Sequence, residues 1–220
     1  MNPIRDPRLH GLAAANSSVR LRAALAVGTD PGPGTVDALL ERCAVEPDFF
    51  VRDMLTWALT RLPAELTVPK LCAELRSGRA QARSQALHTL SKIGDRAAWP
   101  AITPALLHDA DAEVARSAWR AAVVLVPEEG RAALAAELAT GLGRGDRETR
   151  LSLSRALAAL GDAAEPVLRE AADSSDPAVR AHANATRRVR DDPEAGAELA
   201  VDAAKRVAAL GPDRNEDAAC

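Results

Sequence analysis

Trp57, His88 and Arg120 are the residues with which this chain could do chemistry, and they fall 31 and 32 residues apart. Asp53, Ser84 and Arg116 each stand four residues before one of them. An indole, an imidazole and guanidiniums repeated at one register can hold a planar or anionic ligand, or an acidic peptide. The ring faces attract cations and stack, and a guanidinium grips carboxylate or phosphate in a fork. Trp119 beside this strip and Arg155 farther along would complete its wall. The plainer alternative is that such a face is merely polar and that Trp57 packs on a neighbouring helix. Tryptophan's enrichment at binding hot spots is the reason to weigh the first reading.

The rest of the chain offers little catalytic equipment. It contains no phosphate loop, no HExxH, no CxxC and no nucleophile elbow. The histidines His10, His88, His108 and His182 are scattered, and Cys43, Cys72 and Cys220 match neither a disulfide framework nor a metal-ligand spacing. The expectation is a non-catalytic protein with no metal and no cofactor, in which Cys43 and Cys72 are buried free thiols.

What must position these residues is a repeat. A small or β-branched residue followed by Arg recurs as Val19-Arg20, Val51-Arg52, Ala82-Arg83, Thr149-Arg150 and Val179-Arg180, with Val114-Ala115 in the same place. The period is 30 to 35 residues. Four residues before each marker stands Asn16, Asp48, Arg79, Asp111, Asp146 or Asp176, and all but Arg79 are good helix N-caps. Each marker opens an apolar pattern of helical spacing, as in Val51, Leu55, Leu59 and Leu62. Counted from the marker, the core positions are −1, +3, +7 and +10, and the opposite face is +1, +5, +8 and +12. The inner helices are expected at about 17–28, 48–62, 79–93, 111–126, 146–160 and 176–190. Outer helices are expected at about 35–45, 64–76, 96–108, 129–142, 163–173 and 194–210. Pro104 should kink one of these, and Pro69, Pro100 and Pro166 should sit in first turns. A helix pair of this kind cannot bury its own face and must stack on its neighbours.

The markers, together with Leu160-Gly161-Asp162-Ala163-Ala164-Glu165-Pro166-Val167-Leu168 and the run Leu90 to Ile102, resemble HEAT-like repeats of the short bacterial PBS-lyase type. The resemblance implies an all-α fold, an α-solenoid of about six helix pairs. Residues 10–210 would form the solenoid, 1–9 a loose lead-in and 211–220 a solvated tail. The chain is also similar to HEAT segments found with MerR-type regulators of actinobacteria, though it carries no helix-turn-helix. In such stacks the inner helices line a concave groove, so the resemblance puts the Trp57, His88 and Arg120 strip there. The function it suggests is a binding or scaffold module for a protein partner or a small aromatic or anionic ligand. Two alternatives follow from similar solenoids. One is an alkylpurine DNA glycosylase, which Asp53, Trp57, Arg120 and Arg155 could imitate. The other is the ligand-sensing module of a transcription system.

Composition narrows these. Net charge is −3 and lysine is confined to Lys70, Lys92 and Lys205, so a DNA-coating protein is not expected. Aromatic residues make up 2% of the chain, which leaves a core of Ala, Leu and Val. Residues 1–6 hold no apolar run, and no stretch approaches membrane-spanning length, so a cytoplasmic protein is expected.

Overall fold

The structure is a computed structural model that describes residues 7–32 and 34–191. Residues 1–6 of the lead-in expected over 1–9, the helix expected near 194–210, the 211–220 tail and Cys220 lie outside the described residues, and residues 7–9 of that lead-in belong to a short helix. The chain is all-α, an α-solenoid of HEAT-like helix pairs, and the described residues contain no strand. They group into two compact units, one ending at Thr140 and the other beginning at Gly141.

The first unit holds nine helices among the described residues: α1 (Pro7–Gly11), α2 (Ser17–Thr29), α3 (Thr35–Cys43), α4 (Phe49–Thr60), α5 (Ala64–Glu74), α6 (Ala80–Ile93), α7 (Pro104–Leu107), α8 (Ala112–Leu125) and α9 (Arg131–Ala139). The inner helices α2, α4, α6 and α8 pack each on the next, and α1, α3, α5 and α7 each back the inner helix that follows. The second unit holds α10 (Arg147–Ala159), α11 (Glu165–Ala172) and α12 (Pro177–Asp191), with α12 packed on both others.

The inner helices begin where their caps direct. The side chains of Asn16, Asp48, Asp111, Asp146 and Asp176 each accept a first-turn backbone N–H, so free donors at the helix start are satisfied. Arg79 has no such oxygen, and there Ser77 Oγ accepts from the Arg79 N–H at 3.3 Å. Most core positions read from the markers are buried, including Leu55, Leu59, Leu90, Leu125, Leu153 and Leu157, while Val19, Ile93, Thr149 and Val179 are only partly covered and Asp30 is exposed. Large aliphatic side chains alternate there with Ala58, Ala86, Ala118 and Ala122, which let the helices approach closely.

Two of the five marker arginines tie repeats together, and Arg150 makes no side-chain bond among the described residues. Arg20 forks onto Glu46 at 2.7 and 2.6 Å, and Arg83 forks onto Asp109 at 3.0 Å, in each case 26 residues ahead. The same arginines, with Arg52 and Arg180, also donate to backbone carbonyls five or six residues behind. Arg52 has no carboxylate 26 residues ahead, because that position is Gly78, and it relies on the carbonyls alone.

The outer layer departs from expectation at three prolines, and Pro100 lies late in the 3-10 turn Arg96–Ala101 rather than in a first turn. Pro104 starts a new helix after the 3-10 turn Arg96–Ala101 rather than kinking one long helix, since a ring without an N–H is favoured at a first helical position. Pro69 is not in a first turn but inside α5, where it removes one helical hydrogen bond.

Candidate functional site

The outward face of α4, α6 and α8 forms a groove of about 570 Å³. Asp53 and Thr56 come from α4, Ser84, Gln85 and His88 from α6, and Glu113, Ser117 and Arg120 from α8. Phe49 and Arg52 close one end. The structure thus brings together four of the residues expected from sequence: Asp53, Ser84, His88 and Arg120.

The other four stand elsewhere. Trp57 does not line the groove. Its ring lies over Gly28 of α2, so close that a Cβ on Gly28 would meet it at 2.7 Å, and the Arg61 guanidinium sits 5.9 Å from the ring centre. It remains 37% exposed, so it is neither a groove wall nor a core residue. Trp119 is buried, not part of the wall, and its indole N–H donates to the Leu107 carbonyl at 2.9 Å. Arg116 is turned to Glu113, 2.7 Å away, and positions that carboxylate rather than facing a ligand. Arg155 belongs to the second unit and is exposed there. Ser84, expected on the open face, is buried in the groove floor and its hydroxyl donates to the Gln81 carbonyl at 3.2 Å.

Charge in the groove is mixed. Glu113 accepts from both Arg116 and Arg120, the latter at 3.1 Å. Burial opposes its ionisation, but the two guanidiniums outweigh that and hold its carboxyl below the usual range. His88 is half-buried. Burial lowers its pKa, the charges of Lys92 and Arg120 lower it further, and Asp53 and Glu113 offset only part of this. The imidazole is therefore neutral at pH 7. Two oxygens at the groove have no partner: Thr56 Oγ1 and Gln85 Oε1 are buried without a hydrogen bond. Thr56 itself is only 4% exposed. Orphaned buried oxygens are costly, and both lie beneath the groove surface rather than on it. Sequence reasoning did not find either residue, because a Thr and a Gln on a helix carry no periodic signal.

The rim is aromatic. Phe49 and Phe50 are 65% and 72% exposed and meet edge to face at 5.6 Å, with Arg52 over the Phe49 ring. Neither is a staple to an adjacent repeat.

In the second unit His182 is buried. The Gly143 N–H donates to its Nδ1 at 3.0 Å, which leaves the Nε2–H to donate to the Arg150 carbonyl at 2.9 Å. Arg187 and Arg190 pair with Glu165 of the preceding helix. Among the described residues no helix is long and apolar enough to cross a membrane, and no cluster of ligating side chains suits a metal ion.

No family model matches this chain. No curated protein matches it either. Solved structures of similar fold include three helical proteins. One is an engineered protein (22% identity, TM-score 0.47, covering 86% of this chain and 96% of that one). Another is the complex of CpcE and CpcF of phycocyanin lyase from Nostoc (19% identity, TM-score 0.48, covering 86% and 78%). The third is human deoxyhypusine hydroxylase in complex with glycerol (19% identity, TM-score 0.45, covering 90% and 94%).

Proposed function

We propose that this chain is a non-catalytic binding module whose α4–α6–α8 groove takes a segment of a protein partner. The carrying observation is the groove of about 570 Å³ itself, open on three stacked helices, with the exposed Phe49 ring at its edge. Its wall presents both carboxylates and guanidiniums, as the mixed polar surface of a peptide would require. Phe49 supplies apolar contact, and the exposed Phe50 ring stands edge to face against it, the kind of aromatic pair that anchors interfaces. Asp53, Asp111 and Glu113 outnumber Arg52 and Arg120, which disfavours an anionic small molecule or a nucleic acid backbone. Catalysis is disfavoured by the partners already taken. The Ser84 hydroxyl is committed to a carbonyl, and the His88 ring makes no hydrogen bond among the described residues, so no nucleophile and base are paired. Free Cys43 and Cys72 suit a reducing compartment such as the cytoplasm.

The test separates binding from folding. Asp53→Ala and Phe49→Ala remove exposed groove side chains and should change stability little. A partner captured by the parent chain should bind both variants at least fivefold more weakly by calorimetry. Undiminished binding by both would reject the groove as the site.

A further inference from the structure

The second unit carries its own cleft, of about 440 Å³, between α10 and α12. It uses the same register as the groove of the first unit: Leu151 and Ala181 at +1, Ala185 at +5 and Arg188 at +8. The chemistry is the reverse. The floor is hydrocarbon, made by Leu151, Ala178, Ala181, Ala185 and Val189. Small side chains on α12 are what leave the space. From Ala178 to Val189 this floor runs roughly 16 Å along the helix at 1.5 Å per residue.

The polar groups at the back of the cleft are already satisfied. His182 Nε2–H lies 3.1 Å from Ser154 Oγ, and Ser154 donates to Thr186 Oγ1 at 2.8 Å. Thr186 in turn donates to the His182 carbonyl at 2.9 Å. This cleft therefore asks for no hydrogen-bond donor. His182 adds no charge. Burial lowers its pKa, the Arg150 carbonyl offsets part of that, and the Arg150 charge lowers it again.

What the rim offers is positive charge without a counterpart. Arg147 and Arg150 enter from the first turn of α10, and Arg188 from the far half of α12. Among the described residues none of the three side chains makes an ion pair or a hydrogen bond, and no carboxylate lines the cleft. Elsewhere in the unit Arg169, Arg187 and Arg190 all converge on Glu165. Three unpaired guanidiniums around an apolar floor complement one kind of molecule, an anion with a hydrocarbon body.

We infer that the α10–α12 cleft is a binding site for a small amphiphilic anion, a carboxylate or phosphate ester on an apolar chain. The chain lies along Leu151, Ala181 and Ala185, and the anionic head is held by the rim arginines. A nucleotide or an inorganic anion would leave the apolar floor uncovered, and a neutral lipid would leave the guanidiniums unpaired.

The experiment is isothermal calorimetry of the full chain with decanoate, decanol, decyl phosphate and inorganic phosphate, all below micelle-forming concentrations. Decanoate or decyl phosphate should bind with one site, and decanol and inorganic phosphate at least tenfold more weakly. Arg150→Gln with Arg188→Gln should weaken the anion tenfold or more without changing decanol. Ala181→Leu fills the floor and should abolish binding of the chain, with far-UV circular dichroism confirming the fold. Decanol binding as tightly as decanoate would overturn the proposal, as would binding that Ala181→Leu leaves intact. Binding of an acidic amphipathic peptide with none of decanoate or decyl phosphate would also overturn it, and would assign the cleft to a protein.

Discussion

Replacing Glu46 by Gln tests the reasoning about what holds the repeats in register. Glu46 has no exposed surface. It accepts from Arg20 through both oxygens, from Arg42 at 2.6 Å and from the Asp48 N–H at 2.9 Å. Burial alone would raise its pKa. The bonds from Arg20, Asp48 and Arg42 overcome burial and bring it from 4.5 to about 2. A drop of this size corresponds to about 3 kcal/mol of stability at neutral pH, at ~1.4 kcal/mol per pH unit. The folded pKa lies below the unfolded one, so this contribution is complete above pH 4.5 and is lost as pH falls towards 2. Gln keeps the shape but not the charge, and leaves Arg20 buried beside a neutral amide. The variant should lose about 3 kcal/mol at pH 7, or roughly 6–12 °C in Tm. The assay is urea unfolding followed by Trp fluorescence. Trp57, Trp99 and Trp119 all precede Thr140, so they report the unit that contains Glu46. The gap between parent and variant should close between about pH 4.5 and pH 2. A gap under about 1 kcal/mol at pH 7, or one that stays flat on acidification, would refute the argument.

Two further outcomes follow from the same packing and charge arguments. Gly28→Ala places a Cβ 2.7 Å from the Trp57 ring and 2.8 Å from Ala58, which should cost about 1–3 kcal/mol and shift Trp fluorescence. An unchanged unfolding curve would mean that Trp57 is not seated there. His88 should titrate below 6.5 by NMR, lower still in Asp53→Asn and higher in Arg120→Gln, because those neighbours oppose and favour its neutral form. Its contribution to stability is then present above pH 6.5 and lost as pH falls, and a His88 pKa at or above 6.5 would contradict its placement between two cations.

The inner helices were legible because up to three signals coincide in a repeat: a cap, a marker arginine and aliphatic side chains at helical spacing. Asp111, Val114, Ala118, Ala122 and Leu125 carry all but the arginine, and α8 still begins and ends where they indicate. Trp119 was not legible. It stands one residue past a core position, and whether such a flank is open depends on the neighbour's path. Here α7 stops at Leu107, whose carbonyl has no helical N–H to receive, and the indole N–H supplies one. The break that frees that carbonyl begins at Pro104, 15 residues before the tryptophan. Thr56 and Gln85 were hidden for a different reason. A hydroxyl or an amide on a helix is ordinary, and only the absence of a partner after folding distinguishes these two.

The placement of the aromatic residues carries the same lesson into function. The core is built from Ala, Leu and Val in close-packed layers and takes up Trp119 as its one buried ring. Phe49, Phe50 and Trp57 all lie on α4, and all three remain exposed. A chain with five aromatic side chains in 220 residues keeps three of them on the surface of one helix. Exposed rings there give up the burial that each would gain inside, on the order of 1.5–3 kcal/mol. The same helix supplies the exposed Asp53 to the groove, so exposed apolar surface and an exposed carboxylate coincide within two turns of α4. The core takes up neither the Phe49 and Phe50 rings nor this carboxylate, and a partner segment laid across α4 would cover them.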